Sequence, residues 1–154
     1  MISFKQYLEE TSPRWNQYNY QWYLDRLDDI TLLDKSFFVT YSNGITELVV
    51  PIGGKRKMGS LHAIPDKEDA IRISTIIKER LNPTPYIEYL ENEHAMFYGE
   101  ENSIKNYLHS GKIGTLVGNL HGYSDKAIQT FRTPIKRGLG GNPWSFYRKW
   151  EERL

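Results

Sequence analysis

The dipeptide Asn43-Gly44, set between two runs rich in β-branched and aromatic residues, constrains this chain more than any other feature. Both turn residues accept positive φ, so Asn-Gly closes a tight antiparallel turn at little steric cost. The flanking runs, Phe37 to Tyr41 and Ile45 to Ile52, then read as the two strands of a β-hairpin. An isolated hairpin is marginal in water and needs something to pack against. The residues that follow supply it. Ser60 to Ile64 reads as a short strand, and Pro65-Asp66 opens a helix with Asp66 as its cap and Asp69 three positions on, the spacing of a capping box. Ala70, Ile73, Ile77 and Leu81 recur at helical spacing as the buried stripe, and Asn82-Pro83 ends the helix. Tyr86 to Leu90 and His94 to Tyr98 read as two strands joined near Asn92. Asn102 or Ser103 caps a shorter helix through Leu108, closed by Gly111, and Ile113 to Val117 reads as a last strand.

Residues 60–117 thus run β-α-β-β-α-β, the ferredoxin-like or split-βαβ order. The predicted class is α+β, with a mixed or antiparallel sheet that the hairpin either extends or packs beside, and a ferredoxin-like core as the candidate arrangement over about residues 36–117. Helices flank it. Ser3 to Glu10 has Phe4, Tyr7 and Leu8 on one face, and Ser12-Pro13 starts a second helix carrying Trp15, Tyr18, Trp22 and Leu27. Its Asp25 to Asp29 end is poor chemistry for a helix C-terminus. A tail over residues 124–154 holds a helix from Ser124 to Arg132 and another from Pro143 to Leu154. At 154 residues this is one domain, without linker or repeat.

Composition removes several kinds of chemistry. With no cysteine there is no disulfide, thiolate nucleophile or thiolate metal site. The absence suits a reducing compartment. No apolar run approaches the roughly 20 residues a membrane helix needs, and Met1 to Glu10 lacks a signal-peptide core. The expectation is an intracellular, non-secreted protein with no membrane partner. Net charge is +1, so any charged surface must be local: residues 130–154 carry six basic and two acidic side chains.

Two loops combine glycine with cations, Gly53 to Gly59 with Lys55, Arg56 and Lys57, and Lys136 to Gly141 with Arg137. Glycine lets backbone N–H groups approach phosphate, and the cations supply charge. Neither loop has P-loop or Rossmann spacing. The plain alternative is a pair of solvated turns. The five cations are candidate phosphate or nucleic-acid contacts. The terminal helix places Trp144 and Tyr147 on one face and Phe146 and Trp150 on another. One domain rarely buries both sides of a terminal helix, so these four are candidate partner-binding residues, against the alternative of ordinary docking. The Trp15 to Tyr23 stretch has helical spacing and reads as core more readily than as a base-stacking face.

Catalytic and metal motifs are absent. His62, His94, His109 and His121 have no ligand spacing, although His62 and His94 fall on strands that could be neighbours. Glu91-Asn92-Glu93 falls in a turn, and Glu68 and Asp69 are explained by capping. No cofactor or metal is expected, and no motif identifies a catalytic residue.

The opening Met1-Ile2-Ser3-Phe4-Lys5-Gln6-Tyr7-Leu8-Glu9-Glu10 resembles the start of many proteins encoded by tailed bacteriophages. Those often begin Ser-Phe-Lys, a variable residue, an aromatic, Leu and then an acidic residue. The resemblance implies phage origin and three roles. The first is a non-enzymatic virion component of head, neck or tail, self-associating or bound to other phage proteins. The second is a host-takeover or anti-defence protein that binds host protein or nucleic acid. The third is a small enzyme, because the element order is similar to that of ferredoxin-like phage enzymes degrading S-adenosylmethionine. The expected location is the virion or the cytoplasm of the infected cell.

Overall fold

The computed structural model describes residues 22–110 and 118–132. In it β1 (Phe37–Thr40) and β2 (Thr46–Val49) pair antiparallel, Phe37 opposite Val49 and Thr40 opposite Thr46. The hairpin is as expected, but its turn is longer than a two-residue Asn-Gly turn. The Gly44 N–H donates to the Tyr41 carbonyl, the Tyr41 N–H donates to the Ile45 carbonyl, and Gly44 alone in the turn takes positive φ, at +86°. Ser42, Asn43 and Gly44 therefore form a three-residue loop, with Asn43 Oδ1 accepting from the Ile45 N–H at 3.1 Å. The distant Asp69 carboxylate holds Ser42 in that loop. It accepts from the Ser42 N–H at 2.9 Å and the Ser42 hydroxyl at 2.6 Å.

A second sheet joins β3 (Met58–Leu61), β4 (Tyr86–Leu90) and β5 (Ala95–Gly99) in the order β3-β5-β4, antiparallel throughout. That is the split-βαβ arrangement, because α1 (Lys67–Arg80) links β3 to β4 while β5 inserts between them. Asp66 caps α1 by accepting from the Asp69 N–H at 2.9 Å. The predicted stripe Ala70, Ile73, Ile77 and Leu81 is buried, each large apolar side chain contributing roughly 1.5–3 kcal/mol. It meets Met96 and Tyr98 of β5 and Phe37, Val39 and Val49 of the hairpin in one cluster.

The two helices that flank β5 lie on opposite faces. Met96 and Tyr98 belong to the cluster of α1, whereas Ala95 and Phe97 pack with Ile104 and Tyr107 of α2 (Glu101–His109). A ferredoxin-like core would put both helices on one face, so the resemblance stops at element order. The physical reason lies in β5 itself. Every residue from Ala95 to Gly99 is buried, which requires cover on both sides of the pleat. The expected last strand, 113–117, lies outside the described residues.

Capping explains two other departures. Helix α2 starts from Glu100 rather than Asn102 or Ser103; the Glu100 N–H is tied to the Lys57 carbonyl at 2.9 Å, and the Ser103 hydroxyl donates to Glu100 Oε1 at 3.0 Å. Asp29, unsuited to end a helix, starts one: Oδ1 accepts from the Thr31 N–H at 3.0 Å and caps a 3-10 helix, Ile30–Lys35. Helical residues 22–24 close the N-terminal segment, and Ser124 caps α3 (Asp125–Arg132) through the Ala127 N–H at 3.2 Å. Leu27 bridges to Tyr123, and the Ser124 N–H donates to the Arg26 carbonyl, so α3 is tied to the N-terminal segment. The helix over 3–10 and most of the one from Ser12 lie outside the described residues.

Asp69 gives the first testable consequence. Hydrogen bonds from the Ser42 hydroxyl and N–H, and from Arg72 at 2.9 Å, hold its carboxyl below the ordinary 3.8. A depressed folded pKa adds stability above the unfolded value and loses it as pH falls through the folded one. Asp69→Asn should therefore destabilise the protein at neutral pH, with the deficit shrinking as pH falls below about 4. Urea denaturation at both pH values checks this; an undiminished deficit at acid pH would contradict it.

Candidate functional site

Helix α1 presents a second stripe beside its buried one. Lys67, Ile71, Ser74, Thr75 and Lys78 recur at helical spacing and form one wall of a groove whose volume is about 370 Å³. Ile87 and Tyr89 of β4 form the other wall, with Ala70 and Met96 at its base. These two strand residues are half-buried and share the face of β5 that carries Met96 and Tyr98. The groove is apolar at its centre and carries Lys67 and Lys78 on its rim, with the Asp66 and Glu91 carboxylates acting on Tyr89. Ile71 is at 60% exposure, the most exposed of the three large hydrophobic residues that stand exposed among the described residues. Lys67 and Lys78 are exposed, and among the described residues neither is in an ion pair. The Tyr89 hydroxyl oxygen is buried without a hydrogen-bond partner. Burial, followed by the Glu91 and Asp66 carboxylates, raises its pKa, so the hydroxyl keeps its proton and remains a donor. Among the described residues β4 is an edge strand, paired with β5 alone.

The basic loop 53–59 is not a set of three equivalent surface cations. Lys55 is exposed and lies 3.8 Å from Asp28, and Lys57 is exposed. Arg56 is buried at 2% exposure. Its guanidinium donates to the carbonyls of Val50 (3.2 Å), Pro51 (3.2 Å) and His121 (2.9 Å) and to the Tyr98 hydroxyl (3.2 Å). Tyr98 in turn donates to the Val50 carbonyl at 2.8 Å and accepts from its N–H at 3.1 Å. The side chain that looked like a phosphate contact thus ties the hairpin, the three-stranded sheet and the 121 segment together. Burial had to be compensated, because a guanidinium taken out of water needs acceptors for its fork of donors.

His62 and His94 flank the neighbouring strands β3 and β5, as expected, but their side chains make separate contacts. His94 takes a left-handed φ of +52° and places Nδ1 3.0 Å from the Ile64 carbonyl. His62 meets His121 instead, through Ser60: the Ser60 hydroxyl lies 3.0 Å from Nε2 of His62 and 2.9 Å from Nε2 of His121. The Ser60 hydroxyl has one hydrogen to give and two lone pairs to receive, so it can donate to at most one of the two imidazoles, and at least one of them donates to it. No group of three metal-ligating side chains occurs among the described residues. Lys136, Arg137, Trp144, Phe146, Tyr147 and Trp150 lie outside the described residues. Sequence reasoning did not single out the groove. The available signal was Ile71, an aliphatic residue off the buried stripe and four positions from each of Lys67 and Thr75.

Among the described residues no helix is long and apolar enough to cross a membrane. No curated protein and no solved structure matches the chain. A family model covers residues 11–142, most of its length, and on that match the chain belongs to the family of unknown function DUF6302.

Proposed function

We propose that this chain is a phage-encoded, non-enzymatic interaction protein that works within an assembly, as a head, neck or tail accessory component. The observation that carries the interaction role is the groove, where Ile71 stands exposed above an apolar floor and beside an edge strand. Large apolar side chains held at a polar-rimmed surface are what protein interfaces use as anchors. The phage and virion part of the reading rests on the Ser3-Phe4-Lys5 opening. Nucleic-acid binding takes second place, because with Arg56 buried the loop offers two exposed cations, and Lys55 already leans toward Asp28.

Co-expression with the proteins encoded beside it, followed by size exclusion with light scattering, tests the reading. A complex of fixed stoichiometry is expected. Ile71→Glu should abolish it while leaving the thermal midpoint close to that of the parent, since Ile71 is exposed in the isolated chain. A chain that elutes alone from every co-expression, or a complex indifferent to Ile71→Glu, would overturn the proposal.

A further inference from the structure

We infer that the groove takes an extended, acidic polypeptide segment of a partner, added as a strand along the outer edge of β4. This inference rests on the interaction role proposed above and specifies its chemistry. Three observations define the occupant. Among the described residues β4 is paired on one side only. In an antiparallel ladder every second residue of an edge strand turns its N–H and C=O outward, ready for another strand. The apolar lining, Met96 at the base with Ile71 and Ile87 on the walls, asks for an apolar side chain from that strand. The rim lysines, Lys67 and Lys78, ask for carboxylates at its two ends.

The spacing can be worked out. Lys67 and Lys78 are separated by 11 residues on one helix, which at about 1.5 Å per residue is roughly 16 Å. An extended chain advances about 3.3 Å per residue, so roughly five residues span the gap, and because side chains alternate faces the two carboxylates reach the lysines together only when they are about four or six residues apart. Alternation then directs the apolar residues between them into the groove. Ser74 and Thr75 are short enough to let the strand approach the helix.

The same observations disfavour a second copy of this chain. Antiparallel pairing of β4 with itself about its centre would set Glu88 opposite Glu88, and like charges directly opposite destabilise a ladder. It would also bring two lysine-rimmed grooves together. A nucleic acid would meet the lysines but leave Ile71, Ile87 and Met96 without apolar contact.

The test is selection from a displayed library of random dodecapeptides on the immobilised full-length chain, run in parallel on Lys67→Glu/Lys78→Glu and on Ile71→Asp. The parent is expected to enrich peptides with an apolar residue bracketed by two acidic ones about four or six positions apart, the spacings that place both on one face. The charge-reversed variant should select basic residues at those positions, and Ile71→Asp should lose at least tenfold in affinity for the parent's peptides. Circular dichroism and thermal midpoints confirm that each variant is folded; were the double variant unfolded, Lys78→Glu alone takes its place. No enrichment on the parent, or peptides that bind the variants equally well, overturns the inference. If the co-expressed complex still forms and still depends on Ile71, the interaction role survives that failure. If neither forms, both fall.

Discussion

Arg56→Met should lower stability by roughly 2–4 kcal/mol, and Arg56→Lys by roughly 3–5 kcal/mol. The order matters more than the size. Methionine fills much of the arginine volume and removes the buried charge, which recovers desolvation energy. It leaves the Pro51 and His121 carbonyls without the donor they have now, at about 1–3 kcal/mol for each unsatisfied buried group. Lysine keeps the charge but has a single nitrogen where the guanidinium spreads its donors over several acceptors. It therefore buries a cation that the surrounding oxygens cannot fully satisfy. A conservative charge-retaining change thus does more harm than an apolar one, the reverse of what a solvated phosphate contact would show. The control is Lys55→Ala with Lys57→Ala, both exposed, which should stay within about 0.5 kcal/mol of the parent. Urea denaturation of the three variants measures all of this. Arg56→Met or Arg56→Lys at parental stability would mean that the guanidinium network contributes nothing.

Arg56 also marks where the sequence stops being legible. Helix α1 was readable because its determinants are local: a cap at Asp66, four apolar residues at helical spacing and a stop at Asn82-Pro83. The hairpin was readable for the same reason, and the cap of α3 at Ser124 likewise. The acceptors of Arg56 come from residues 50, 51, 98 and 121, and no pattern within a short window announces them. A cation inside a run of glycines looks solvated until the distant carbonyls are placed around it. Asp69 behaves alike. Its backbone serves the expected cap, while its carboxylate reaches 27 residues back to the hairpin turn. The placement of α1 and α2 on opposite faces did leave a trace. Ala95-Met96-Phe97-Tyr98 is apolar without alternation, the mark of a strand covered on both sides. The groove was half legible. Ile71 is off the buried stripe and visibly so, but which strand it would face depends on β5 inserting between β3 and β4.

Gly122→Ala should cost roughly 2–4 kcal/mol while Gly54→Ala costs about 1.5 kcal/mol or less. Both glycines have positive φ, +72° and +55°. Both substitutions therefore carry a left-handed penalty of about 1–2 kcal/mol, offset by about 0.4–1 kcal/mol from the stiffer unfolded chain. They differ in what a methyl group would meet. At Gly54 there is nothing within 4 Å. At Gly122 the new carbon would sit 2.5 Å from Arg56 Cβ, 2.7 Å from Arg56 Cα and 2.8 Å from the Arg56 nitrogen. Two of those three atoms are backbone, so no rotamer change relieves the clash, and the Arg56–His121 bridge must open. Opening it moves the very carbonyl that receives the guanidinium. The two sites are thus in contact, and their effects should not add: Gly122→Ala combined with Arg56→Met should cost less than the sum of the separate changes by at least about 0.5 kcal/mol. Additivity would mean that Gly122 and Arg56 hold different parts of the structure. A shortfall would mean that the close approach at Gly122 exists to seat the buried guanidinium, which makes the Gly-rich basic loop an element of the core.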